Sequence, residues 1–362
     1  MTRWRDRRFL DLVGIELPII QAPMAGSDSP QLAAEVSRAG GLGSLAGALL
    51  SPEKLREGAT AIRAITPLPF NLNFFCHTMT PAIDPMQERR WKQFLRPHYE
   101  RMGLDIENVV PAPLRMPFDE AACAAVEEIK PAVVSFHFGL PAPTLLQRLK
   151  ARDIRILASA TSVDEARWLA ERGCDAIIAQ GAEAGGHRSM FLDMSVATQT
   201  GLMSLVPQTA DAVSVPVIAA GGIMNGGGIV AALALGASAV QLGTAYLFCP
   251  EAKISPLYRR ALCETPDNGT AITNLFSGRP ARGIANRFVR EAGPMSDAAP
   301  DFPHAATLIA PLRTASEKAG VTDYMQMWAG QSARLGRAMG AYELTKKLAE
   351  ECEEGKGSGA WV

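Results

Sequence analysis

Three of the five histidines in this 362-residue chain, His77, His137 and His187, stand at or just after the C-terminal ends of short apolar runs, 68–75, 132–138 and 175–180. An imidazole titrates near neutrality and can take or give a proton at a reacting carbon. A histidine bonded only to backbone is the ordinary alternative, and the neighbours of His187 argue most strongly against it. The segment Ala179-Gln180-Gly181-Ala182-Glu183-Ala184-Gly185-Gly186-His187 ends an apolar run in an amide, then sets glycines that let backbone N–H groups approach a ligand. Gln180 closes an apolar strand and needs a partner, for which a ligand ring edge with alternating donors and acceptors would serve.

A second constellation lies further along, in Ala219-Ala220-Gly221-Gly222-Ile223 and Gln241-Leu242-Gly243-Thr244-Ala245. Glycine at a strand end bares backbone N–H groups, and Thr244 adds a hydroxyl, so together they suit a phosphate at a loop and helix N-terminus. Glycines that only permit tight turns and close helix packing would look similar. Ala22-Pro23-Met24 supplies an apolar wall, and Asn73 stands at the same level. No HxH or HExxH pattern and no clustered carboxylates occur at these ends, which predicts no metal centre. Phosphate, apolar wall and amides together suggest a flavin.

These residues need a scaffold that brings many strand ends to one face. Short apolar runs at 17–22, 42–45, 68–75, 132–138, 155–160, 175–180, 215–220 and 239–244 alternate with helix patterns, several opened by a capping serine such as Ser29, Ser51 or Ser162. Runs apolar on both faces are those of parallel strands covered by helices. Eight such units over about 250 residues predict an α/β fold, a (β/α)8 TIM barrel with its active site at the C-terminal strand ends. A doubly wound open sheet is the alternative, but Pro23-Met24-Ala25-Gly26 stands where GxGxxG would be. The expected division is a barrel over 1–250 and a smaller, mainly helical part over 251–362, lying over the mouth. The barrel has an excursion at 76–118, with a charged helix at 86–102 and a loop containing Pro111, Pro113 and Pro117. Beyond 250 the sequence suggests helices at 256–262, 303–318 and 323–350, and no clear strands.

Composition narrows the partners. Lys+Arg 36 against Asp+Glu 37 gives a net charge of −1, too little positive field for a nucleic acid partner. Six singly spaced cysteines without a CxxC pair point to free thiols in a reducing, cytoplasmic setting. The start of the chain is basic at Arg3, Arg5, Arg7 and Arg8 but lacks the apolar run of a secretory signal. The stretch 212–250 carries no Asp, Glu, Lys or Arg except Asp211 just before it, yet its glycines and Pro216 cut it into pieces too short to span a membrane.

In combination, Gln21-Ala22-Pro23-Met24-Ala25-Gly26, Pro69-Phe70-Asn71-Leu72-Asn73, Ser135-Phe136-His137-Phe138-Gly139, the stretch 180–187, Gly221-Gly222-Ile223 and Gly243-Thr244 resemble the nitronate monooxygenase family, formerly called 2-nitropropane dioxygenases. Ser277-Gly278-Arg279-Pro280-Ala281-Arg282 and Ala329-Gly330-Gln331 resemble family segments as well. The resemblance implies FMN held by Ala22, Pro23, Met24, Asn73, Gln180, Gly185, Gly222, Gln241, Leu242, Gly243 and Thr244, with the phosphate on the last group. It implies His187 as active-site base or hydrogen-bond donor to a nitronate, and His137 in the substrate pocket. The implied reaction takes an alkyl nitronate and O2 to a carbonyl compound and nitrite, with those two small molecules as partners; a homodimer is compatible with it. Arg188-Ser189-Met190 departs from the glycine the family places soon after the histidine, which bears on loop shape and substrate size.

Two other functions fit a flavin barrel. One is an NAD(P)H-dependent reductase acting on an enoyl thioester or a quinone; the other is a phosphate-ligand binding protein whose mouth has lost its chemistry. A barrel dehydrogenase acting on inosine monophosphate needs a nucleophilic cysteine after the sixth strand, and none lies between Gln180 and Val213.

Overall fold

In the computed structural model, residues 4–79, 83–110 and 114–357 are described, apart from the side chains of 355–357; Arg3, Pro111 and Pro113 lie outside them. Eight parallel strands form the centre: β1 (Ile19–Gln21), β2 (Gly43–Ala46), β3 (Phe70–Phe75), β4 (Val133–His137), β5 (Arg155–Ala160), β6 (Ala176–Gln180), β7 (Val217–Ala220) and β8 (Ala239–Leu242). From β2 to β8 each strand pairs with the next in chain order, and β8 pairs back to β1. A parallel bridge between Ile20 and Leu42 joins β1 to β2 and closes the ring. All eight expected strands are present. Almost every strand residue is buried, as it must be when helices cover the outside and side chains fill the inside.

The inside is not uniformly apolar. Asn71 donates to the hydroxyls of Ser44 (3.0 Å) and Ser135 (2.9 Å), while Gln21 Oε1 accepts from Ser44 N at 2.8 Å. This polar rung ties β1, β2, β3 and β4 together, one residue pair below Asn73. The helices begin where the serines predicted: Ser29, Ser51 and Ser162 each accept from a backbone N–H in the first turn.

The excursion and the segment 271–328 share one core and form a cap, while residues 341–352 pack on the barrel. Helix Pro85–Arg101 lays Trp91, Leu95 and Tyr99 against Leu308, Ile309 and Leu312 of helix Ala306–Ala319, with Phe276, Phe288 and Tyr324 in the same core. Two expectations need correction here. Strands Thr270–Thr273 and Ala281–Ile284 pair antiparallel, and the second also pairs with Gly186–His187, so the part beyond 250 does contain a sheet. The span 323–350 is not one helix: 322–340 is mostly loop, and the helix runs Ala341–Gly357. Gly330, Gly336 and Gly340 interrupt it, and at Gly336 a Cβ would sit 2.0 Å from the Phe248 ring.

The barrel also depends on a close approach at Gly43, where a Cβ would lie 1.8 Å from the Ala33 carbonyl oxygen in helix Pro30–Arg38. Gly43→Ala must displace that helix, so it should destabilise the fold by about 3 kcal/mol or more in chemical denaturation. A variant as stable as the parent would contradict this packing.

Candidate active site

The C-terminal ends of the barrel strands open into a cavity of about 360 Å³, within the size range of small-ligand sites. Every site residue expected from the sequence lines it: Ala22, Pro23, Met24, Asn73, His137, Gln180, Gly185, His187, Gly222, Gln241, Leu242, Gly243 and Thr244. His77 does not; its Nε2 pairs with the Arg115 carbonyl oxygen at 3.1 Å beside the cavity.

At one end, β7 and β8 stop in Gly221-Gly222 and Gly243-Thr244. Gly221 and Gly222 adopt φ of 130° and 69°, a region glycine enters freely. The backbone N–H groups of Gly221, Gly222, Gly243 and Thr244 donate to no acceptor among the described residues. Thr244 Oγ1 accepts from Gly330 N at 2.9 Å, which leaves its hydroxyl proton to give. Next to this cradle the buried Gln241 Oε1 has no hydrogen-bond partner. Uncommitted donors over a loop and a bare amide oxygen beside them are what a phosphate and the polar edge of a flavin ring require, so the residues present fit FMN.

Gln180 behaves differently from the sequence expectation. Its Nε2 donates to His187 O (3.0 Å) and its Oε1 accepts from Ser189 N (2.9 Å), so the amide already has partners in the loop that follows it. Asn73 likewise donates to Ser135 O (3.1 Å) and Oγ (2.9 Å). Both amides face the cavity while bracing its wall.

The departure Arg188-Ser189-Met190 has a structural purpose. Arg188 is fully buried and donates to Gln180 O (2.7 Å), Gly181 O (2.7 Å) and Gln199 Oε1 (2.9 Å). Burial pushes its pKa down to about 10, which leaves it charged at neutral pH. Ser189 donates to Ser159 O at 3.0 Å and accepts from Phe138 N at 3.3 Å. The loop after β6 is therefore pinned on β4, β5 and β6.

His187 sits in this loop, 8% exposed, with its Nε2 2.9 Å from Ser277 Oγ and its ring among Phe75, Phe138, Phe302 and Trp328. Its Nδ1 has no hydrogen-bond partner among the described residues. Burial holds its pKa well below the usual 6.5, helped by the charges of Arg115 and Arg279 and by the neighbouring His137 and His77. His137 Nε2 pairs with the His187 carbonyl oxygen at 3.1 Å, and burial pushes its pKa down to about 3. All these imidazoles are neutral at pH 7.

Ser277, Phe302, Trp328, Gly330 and Arg115 also shape the site. Ser277 and Gly330 fall in family-like segments and could have been singled out from them; Phe302, Trp328 and Arg115 carried no signal, because they reach the mouth by tertiary contact from the cap. Among the described residues no group of three or more His, Cys, Asp or Glu is placed to hold a metal.

A model of the family described as nitronate monooxygenase matches residues 6–351. A nitronate monooxygenase of Pseudomonas aeruginosa is 44% identical over 349 residues, covering 95% of this chain and 98% of that protein. Among solved structures, nitroalkane oxidase from Streptomyces ansochromogenes superposes with a TM-score of 0.88 at 39% identity, covering 98% of this chain and 100% of that one. FabK from Thermotoga maritima superposes with a TM-score of 0.73 at 28% identity, covering 97% of each.

The buried imidazoles make acid stability predictable. Between pH 6.5 and about 4 for His77, or about 3 for His137, the unfolded chain binds protons that the folded chain does not. Their depressed pKa values therefore cost nothing above pH 6.5 and lower stability progressively as pH falls below it. Each group contributes a slope of about 1.4 kcal/mol per pH unit in its window. Urea titrations across this range should show a falling midpoint, and His77→Gln should flatten the slope by one group's share; an unchanged slope would contradict a neutral, buried His77.

Proposed function

The chain belongs to the nitronate monooxygenase family, and on that premise we propose that the barrel-mouth cavity holds FMN and a nitronate together. The protein is a flavin-dependent oxidoreductase that oxidises alkyl nitronates with O2 to a carbonyl compound and nitrite. FMN, when bound, supplies the electron transfer between the nitronate and O2. The observation that carries the assignment of the site is the coincidence of the N–H cradle at Gly222 and Gly243-Thr244 with the unpartnered Gln241 Oε1. The cradle and the Thr244 hydroxyl would take the phosphate. Ala22, Pro23, Met24 and Leu242 would back the ring, with Gln180, Asn73, Gly185 and Gln241 around its polar edge.

His187 is the residue that acts on the substrate. The Ser277 hydroxyl can accept from or donate to Nε2, so His187 can present Nδ1 as a bare acceptor or as an N–H donor. In the first form Nδ1 takes the proton from the carbon next to a nitro group. In the second it donates to an oxygen of a nitronate that arrives already deprotonated. The ring cage of Phe75, Phe138, Phe302 and Trp328 keeps water from competing for that nitrogen. His137 faces the same pocket and orients the histidine loop through the His187 carbonyl. Six cysteines without a disulfide among them fit a reducing compartment, and we assign the protein to the cytoplasm.

Oxygen uptake with a small neutral nitroalkane, from which a proton must be taken, should fall by about 10²–10⁴-fold in kcat/KM for His187→Ala, the range typical of removing an acid–base group. Flavin absorbance confirms that the variant still carries its cofactor. Turnover unchanged by the substitution would contradict the role of His187.

A further inference from the structure

A nitronate is an anion, and moving an anion from water into a cavity walled by Phe75, His137, His187 and Trp328 is costly unless a cation faces it. The imidazoles do not meet that need, because burial keeps them neutral. Among the described residues, three cationic side chains line the cavity: Lys253, Arg313 and Arg115. Lys253 is exposed and its charge acts on Asp28, below the loop after β1. Arg313 is exposed and shares the rim with Glu317. Arg279 is nearby but committed, with its guanidinium on the Met190 carbonyl and 3.9 Å from the centre of the Phe138 ring.

Arg115 is different. It is half-buried, and among the described residues its guanidinium donates no hydrogen bond; its backbone is held by His77, whose Nε2 meets the Arg115 carbonyl oxygen at 3.1 Å. Among the described residues no carboxylate pairs with it; besides burial, the charge that acts on it is that of Arg313. Its guanidinium carbon lies 6.0 Å from the centre of the Phe302 ring, and that ring is 5.6 Å from His187. The segment bearing it is held at the Arg115 carbonyl by His77 and, three residues further on, by Phe118 N donating to Phe75 O at 2.8 Å. A half-buried guanidinium whose five donors meet no acceptor among the described residues is available to an anion in the cavity it lines. The excursion from the barrel delivers it there.

We propose that Arg115 is the substrate-anion anchor of this pocket: its guanidinium binds the nitro-group oxygens of the nitronate and selects that anion over the neutral nitroalkane. This rests on the nitronate reading above. A planar guanidinium matches a planar nitro group with two parallel N–H···O bonds, as it matches a carboxylate. After burial, the Arg115 charge is the next contribution that disfavours protonation of His187.

The test uses the FMN-loaded enzyme and two readouts. In oxygen-uptake assays, Arg115→Gln should raise KM for propyl-2-nitronate about tenfold to a hundredfold, the effect of losing charge-assisted bonds. Most of the loss should fall in KM, Arg115→Lys should recover part of it, and KM for neutral 2-nitropropane should move far less. Independently of turnover, inorganic nitrate, a planar anion of similar head-group shape, should perturb the flavin spectrum of the native enzyme, and its Kd should rise at least about tenfold in Arg115→Gln. If the variant does not retain flavin, nitrate competition against the nitronate in the native enzyme still decides, since absence of competition overturns the anchor. Native-like KM and nitrate Kd in a flavin-loaded Arg115→Gln also overturn it. A native enzyme that binds nitrate through Arg115 but consumes no O2 with nitronate would instead leave the anchor standing and sink the assigned reaction.

Discussion

Two backbone pairs hold the chemistry in place: His187 opposite Ala281, and Gly186 opposite Arg282. A loop leaving the end of a barrel strand has no partner of its own for its N–H and C=O groups, and a histidine carried on it would wander. Here the loop becomes the edge of a small antiparallel sheet whose other strands come from the far end of the chain. Arg188 N donates to Pro280 O at 2.8 Å, Gln331 N donates to Glu183 O at 3.0 Å, and Arg282 Nε donates to Ala182 O at 2.9 Å. The barrel and its cap thus meet along the catalytic loop, and neither alone would fix His187 against Ser277.

That junction leaves no room for side chains. A Cβ at Gly185 would stand 2.6 Å from Ala329 C and Gly330 N, so glycine at 185 is what lets the segment 329–330 close over the loop. Gly330 in turn donates to Thr244 Oγ1, which carries the contact on to the cradle at the end of β8. One chain of close approaches therefore links the imidazole end of the cavity to its phosphate end. The electrostatics follow the same division. Backbone dipoles face one end, while the other holds neutral imidazoles and a guanidinium, and among the described residues no carboxylate is bonded to these groups.

The barrel was legible because its determinants are local. Strands buried on both faces must be apolar, and the turns between them must carry glycine, proline or a capping serine, so eight short runs announced eight strands. The cradle was legible for the same reason: Gly221-Gly222 and Gly243-Thr244 lie directly at strand ends. What stayed hidden depends on partners distant in sequence. Gly186–His187 is a strand only because 281–284 reaches it. Gln180 looked like an amide awaiting a ligand, when Ser189 and the His187 carbonyl already engage it. Arg115 sits in a proline-rich loop with no periodicity, and only the fold shows that it lines the same cavity as His187. The long helix expected over 323–350 ignored three glycines whose backbone must pass close to Phe248 and the barrel loops.

The most direct test of a nitronate-oxidising flavin site is anaerobic stopped-flow mixing of the yellow holoenzyme, separately, with propyl-2-nitronate and with NADH, followed in the flavin absorbance band. Rapid bleaching by the nitronate and none by NADH is the predicted result. Rapid bleaching by NADH, with the nitronate inert, would contradict it.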